Sequence, residues 1–186
     1  MITPAKALIY LIELINCYAA VYYSNFLFFY LRLEFGFDEA ANLLTAALGG
    51  LVYIIASWQG GKFAERFDCI RALYCGSTGV ILSLALGMLI PQACLQVFAY
   101  CLWTLSICFI WPALEALISK DAGPQLSNRV GLYNVTWAAG GAVGYFTTGL
   151  LLERLGMKSL FWLPLLLTLG QVFLLIWAAG LLGKEQ

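Results

Sequence analysis

The sequence predicts an all-α membrane protein: six transmembrane helices arranged as two three-helix repeats, inverted relative to one another. Three observations carry this. Of 186 residues, 62% are hydrophobic and 11% charged, where soluble domains carry about 25% charged residues; the mean hydropathy is +0.87. The apolar residues gather into six runs, each near the roughly 20 residues that a bilayer-spanning helix needs. The charged stretch Gly60-Gly61-Lys62-Phe63-Ala64-Glu65-Arg66-Phe67-Asp68-Cys69-Ile70-Arg71 is echoed further along. Gly149, Glu153, Arg154, Leu155 and Gly156 stand 88 residues beyond Gly61, Glu65, Arg66, Phe67 and Asp68. Self-similarity at a fixed period is the signature of a repeated structural unit.

The runs cover about 7–31, 40–59, 72–90, 93–119, 130–152 and 160–182. Only Lys6 lies ahead of the first, which is too long for the core of a signal peptide and is expected to stay as a span. Breakers fall between runs: Glu34-Phe35-Gly36-Phe37-Asp38, the charged stretch itself as a very short turn, Pro91-Gln92, Asp121-Ala122-Gly123-Pro124, and Leu155-Gly156-Met157-Lys158. Asp38 followed by Glu39, and Ser127, suit helix starts. Residues 1–186 thus form one bundle, with repeat one over about 1–91 and repeat two over about 92–186.

Lys and Arg set orientation. With an inner N-terminus, the inner segments hold Lys6, Lys62, Arg66, Arg71, Lys120, Arg129 and Lys184, and the outer ones hold only Arg32, Arg154 and Lys158. Both termini are therefore expected in the cytoplasm, in a plasma or inner membrane. Three spans per repeat is an odd number, so the two repeats must be upside down relative to one another. This is the architecture of secondary transporters.

Composition also excludes functions. Net charge is zero, so no basic surface for nucleic acid is expected. The chain has no histidine, which removes His-based metal sites and Ser-His or Cys-His catalytic pairs. No Gly-x-Ser-x-Gly loop and no phosphate-binding loop occur. The expectation is a non-enzyme with no cofactor, no metal and no disulfide. Cys94, Cys101 and Cys108 are spaced by seven on one helical face and read as small packing residues.

The charged stretch resembles the loop between the second and third helices of the major facilitator superfamily, which runs roughly G-x-L-A-D-R-x-G-R-K. Gly61, Ala64 and Arg66 match, Phe63 and Glu65 are conservative replacements, and Asp68 stands where the second glycine would be. Cys69 and Ile70 replace the basic pair, with Arg71 one place late. The second copy keeps that glycine as Gly156 and a basic residue as Lys158. Pro112, the run Arg129-x-Gly131-x-Tyr133-Asn134, and Gly140, Gly144 and Gly149 are also similar to the family. The family's arginine early in the fourth helix is missing, since Tyr100 to Ser106 contains none. Members usually have two six-helix halves with substrate bound between them, and this chain looks like the N-terminal half. The resemblance implies a partner: a second six-helix half, or a homodimer mate.

The resemblance also implies a cavity lined by the first and fourth helices, with help from the second and fifth. Polar residues fall at helical spacing to suit. Glu13, Asn16, Cys17, Ala20 and Ser24 share a face of the first span. Thr104, Cys108, Trp111 and Glu115 share one on the fourth, and Asn134, Trp137, Gly141, Tyr145 and Thr148 one on the fifth. The third and sixth spans have almost no such stripe and read as lipid-facing. Glu13 is the sharpest, about 12 Å along its helix at 1.5 Å per residue. An intramembrane carboxylate is costly and so a functional candidate; the alternative is a Glu wetted near the headgroups. Glu115 either joins the pathway or snorkels toward Lys120 or Arg129.

Trp111-Pro112 marks a kink. Gly140, Gly144 and Thr148 form a small-residue ridge for close helix packing. Trp58, Trp162 and Trp177 suit membrane-interface anchors. Gly61, Glu65, Arg66, Asp68 and Arg71 are expected to form a conformational latch, or else to serve topology alone. The sequence thus points to a secondary transporter or half of one, moving a small solute through the bilayer by alternating access with a possible proton coupling at Glu13. The alternative is a non-transporting membrane scaffold, a remnant of such a transporter.

Overall fold

The computed structural model describes residues 3–185, with side chains over 3–183; Lys184, one of the seven inner cations, lies outside the described side chains. The helices are α1 (Pro4–Ser24), α2 (Leu27–Phe35), α3 (Glu39–Phe67), α4 (Cys69–Leu89), α5 (Ala93–Ser119), α6 (Leu126–Leu155) and α7 (Ser159–Glu185), with a short 3₁₀ turn over Gly123–Gln125. Taking α1 and α2 as one interrupted span, six helices are long and apolar enough to cross a membrane.

Three boundaries differ from expectation. The first run is broken at Asn25 and Phe26, between α1 and α2. Ser24 Oγ donates to the Ala20 carbonyl at 2.8 Å and Asn25 Nδ2 to that of Val21 at 3.4 Å, so side chains compete with the backbone for its acceptors. The charged stretch is not a loop: α3 continues through Gly60–Phe67, and only Asp68 separates it from α4. Lys62, Glu65 and Arg66 are helix formers and nothing before Asp68 breaks the ladder. Ser127 lies inside α6, which follows directly on the 3₁₀ turn at Gln125 without a side-chain cap. Asp38 does cap α3, accepting from the Ala41 N–H at 2.8 Å.

The core is crossed between the repeats. Helices α3 and α4 pack on α5, while α6 and α7 pack on α1. Each triplet therefore cradles the first helix of the other, and α1 and α5 become the two central helices. The register of 88 is clearest in α3, which shifted by 88 covers 127–155, against Leu126–Leu155 for α6. By the same shift of 88, the break after Ser24 corresponds to Pro112, which lies inside the continuous helix α5.

The turns agree as well. Asp68 (φ 106°, ψ 145°) and Gly156 (φ 81°, ψ 161°) end α3 and α6 in the same conformation, their N–H groups reaching Ala64 O at 3.0 Å and Leu152 O at 2.9 Å.

These two turns sit at opposite ends of the bundle. At the Asp68 end, Lys6 Nζ donates to the Lys120 carbonyl at 2.6 Å and the Tyr10 hydroxyl to that of Arg129 at 3.2 Å. At the Gly156 end, Tyr22 and Ser159 share a hydrogen bond at 2.8 Å, and Gln96 Nε2 donates to Gly87 O at 2.8 Å and Ile90 O at 3.0 Å. Helix α4 is not simply a lipid-facing helix, since Gly76, Ser77 and Ser83 are buried and it packs on both α5 and α7.

Candidate functional site

Two adjoining hollows open along α3, α5 and α6. The first, about 330 Å³, is lined by Tyr53, Trp111, Glu115, Tyr133, Asn134 and Trp137. The second, about 340 Å³, shares Tyr53 and Trp111 and adds Ser24, Gly49, Tyr100, Trp103 and Thr104 among others. Neither receives a residue from α4 or α7. Volumes of this size lie at the low end of small-molecule sites.

Helix α5 supplies the back wall. Thr104, Trp111 and Glu115 follow one another at helical spacing and all line the hollows. Thr104 spends its hydroxyl on the Tyr100 carbonyl at 2.9 Å, while the Trp111 indole N–H is buried with no acceptor. Cys108, from the same predicted face, turns instead toward α3, with its thiol 3.9 Å from the Tyr53 carbonyl. Pro112 removes the amide that would otherwise bond the Cys108 carbonyl. Gly60 fills that space: a methyl there would collide with the freed carbonyl. Glu115 does not pair with Arg129, whose guanidinium donates to the Lys120 carbonyl at 3.2 Å.

The predicted face of α1 is not part of the open wall. Glu13, Asn16, Cys17 and Ala20 are buried, and only Ser24 reaches a hollow. Helix α6 contributes to this. A methyl at Gly140 would stand 2.7 Å from the Leu14 carbonyl, and one at Gly144 2.9 Å from Val21, so these glycines seat α6 on the side of α1 that carries Leu14, Cys17 and Val21, beside the polar face. Thr148 is buried on the same ridge and bonds its own helix at Gly144 O, 2.6 Å. Asn134 and Trp137 line the first hollow, whereas Tyr145, 59% exposed, lines neither.

Glu13 is 0% exposed. Its polar neighbours are Tyr133 and Asn16 on the near side and Glu115 at longer range, yet neither carboxylate oxygen is held in full hydrogen-bond geometry. Tyr133 therefore stands between a sequestered carboxylate and an open hollow. In the sequence Tyr133 belongs to the family-like run with no link to Glu13, and Tyr53 is not among the candidate site residues. A tyrosine inside an apolar span was the available signal.

The charged stretch lies away from these hollows. Gly61, Glu65 and Arg66 occupy the last turns of α3, Asp68 the turn and Arg71 the first turn of α4. Glu65, Arg66 and Arg71 are exposed. The Arg66 guanidinium lies 5.1 Å from the Phe67 ring centroid, and Lys62 Nζ 3.7 Å from that of Trp58, in cation–π range.

Six apolar helices in two inverted triplets, with a half-open hollow beside a buried carboxylate, define a multi-pass membrane bundle of transporter architecture. The pattern of the Major Facilitator Superfamily matches residues 9–182, and the chain belongs to that family. Among solved structures, the fold is similar to that of the peptide transporter POT in complex with sulfate, with a TM-score of 0.72 at 20% identity. The match covers 94% of this chain and 37% of the POT chain, so the protein spans little more than a third of that transporter's length. No curated protein sequence matches the chain.

Proposed function

We propose that this chain is one half of a secondary transporter that moves a small solute by alternating access, without catalysing a reaction. The observation that carries the proposal is the pair of hollows on α3, α5 and α6, open on the side away from α4 and α7 and backed by an unpartnered buried carboxylate. A site for a small solute should be enclosed over most of the ligand's surface; this one is walled on one side only. A second six-helix half, or a second copy of the chain, completes it. The proposed repeats, about 1–91 and 92–186, rock about the two central helices, one broken after Ser24 and the other carrying Pro112. Both termini lie in the cytoplasm, following the excess of Lys and Arg at the Asp68 end.

Glu13 is the proposed proton carrier. Removing a carboxylate from water without a counter-ion is unfavourable, and a group whose water access changes between two states can exchange its proton across the membrane. Gly61, Glu65, Arg66, Asp68 and Arg71 form the proposed latch, holding one state at the α3–α4 junction. The test is solute uptake into proteoliposomes under an imposed pH gradient. Glu13→Gln should abolish gradient-driven uptake while exchange of solute down its own gradient survives. Uptake that still follows the pH gradient in the Gln variant would remove Glu13 from the mechanism.

A further inference from the structure

We infer that the first hollow takes a small organic cation, a primary to quaternary ammonium group, with an apolar or aromatic arm extending into the second hollow. This rests on the solute-carrier reading and names its substrate class. The hollow's charged lining residue is Glu115, and no Lys or Arg lines it. Its nearest cation along α6, Arg129, donates to the Lys120 carbonyl at the end of the bundle. Behind Tyr133 lies Glu13, fully buried, with Tyr133 and Asn16 as polar neighbours and neither oxygen in full hydrogen-bond geometry. Glu115 thus faces a space that no lysine or arginine lines, with a second carboxylate buried behind its Tyr133 wall. Once a second half closes over the hollow, the Glu115 charge loses water and requires a partner, which the bound solute provides.

The remaining walls favour the same chemistry. Tyr53, Trp111, Tyr133 and Trp137 surround Glu115 with aromatic rings, and a cation over such rings gains from their quadrupoles, most when water is excluded. A phosphate or carboxylate solute would find no lysine or arginine here and would meet the Glu115 charge. The second hollow adds Tyr100 and Trp103, whose rings stack 6.4 Å apart at an interplanar angle of 10°, and Thr104. It has no charged lining residue, which suits the uncharged arm of the solute and not a second ionic group.

The experiment is equilibrium binding of radiolabelled choline to the full chain in detergent and in nanodiscs. Competitors are benzyltrimethylammonium, which carries the aromatic arm, and 3,3-dimethylbutan-1-ol, the neutral carbon isostere of choline. Displaceable choline binding is expected, tighter for benzyltrimethylammonium and weaker by about tenfold or more for the alcohol, as loss of one desolvated cation–π and ionic contact implies. Glu115→Gln, at an exposed position, should weaken choline by a similar factor while helical circular dichroism is unchanged.

Absence of displaceable choline binding, equal affinity for choline and its isostere, or full binding by the Gln variant would overturn the assignment. Uptake of some other solute without choline binding would leave the carrier standing and remove the cation. Choline binding with no solute carried would keep the site and remove the carrier.

Discussion

Asp68 occupies a backbone conformation that is nearly a preserve of glycine. Its φ of 106° and ψ of 145° lie close to those of Gly156 at the matching turn. A non-glycine residue there costs on the order of 1–3 kcal/mol. The side chain returns a little, since Oδ2 accepts the Ile70 N–H at 3.3 Å, but replacing an N-cap Asp by Gly loses only a few tenths of a kcal/mol. Asp68→Gly should therefore stabilise the chain by about 1 kcal/mol or more, read as a higher thermal midpoint in detergent. A lower midpoint would show that the aspartate carries a contact worth more than its strain. The sequence disclosed the substitution, because the echo aligned Asp68 with Gly156; only the backbone angles show what it costs.

Among the helices, the contact of α6 with α1 turns on two glycines whose surroundings are rigid. A methyl at Gly140 meets a backbone carbonyl, which cannot rotate away. Gly140→Ala should destabilise by about 1–3 kcal/mol, the usual cost of overpacking. Gly149 is the control on the same helix, since a methyl there meets nothing within 4 Å. Gly149→Ala should be neutral or stabilising by up to about 1 kcal/mol from helix propensity alone. Equal effects of the two substitutions would show that α6 does not lie on α1 as described. The small-residue ridge was legible as a pattern in the sequence. Its target was not: the ridge seats α6 against Leu14, Cys17 and Val21, beside the polar face of α1, and brings Tyr133 next to Glu13.

For the molecule as a whole, three spans per repeat place the Asp68 and Gly156 turns at opposite ends. Arg66→Cys and Arg154→Cys, in a background lacking the six native cysteines, should react with an impermeant thiol reagent from opposite faces of the membrane. Labelling of both from one side would contradict the inverted arrangement. The same preparation, weighed by native mass spectrometry, tests completion of the hollow. An assembly of two copies, or of one copy with a second six-helix chain, is expected, and a protein that stays a lone monomer while still carrying solute would overturn that proposal. The first is a consequence of an odd number of spans per repeat. The second depends on surfaces that length and hydropathy cannot rank.

Hydropathy, turn residues and an 88-residue echo were enough to establish six spans, their order and their two-fold inverted plan, because the bilayer forces every span to satisfy its own backbone and so leaves a local imprint. Three things required the packed chain. Helix α3 runs on past the apolar core to Phe67, where helix propensity continues after hydropathy stops. The first span breaks at Asn25, where side chains take over backbone acceptors. Glu13 lies behind Tyr133 and not in the open hollow, because the glycines of α6 admit it so close to α1. Each is decided by which helix covers which face, a long-range choice that no single stretch of residues records.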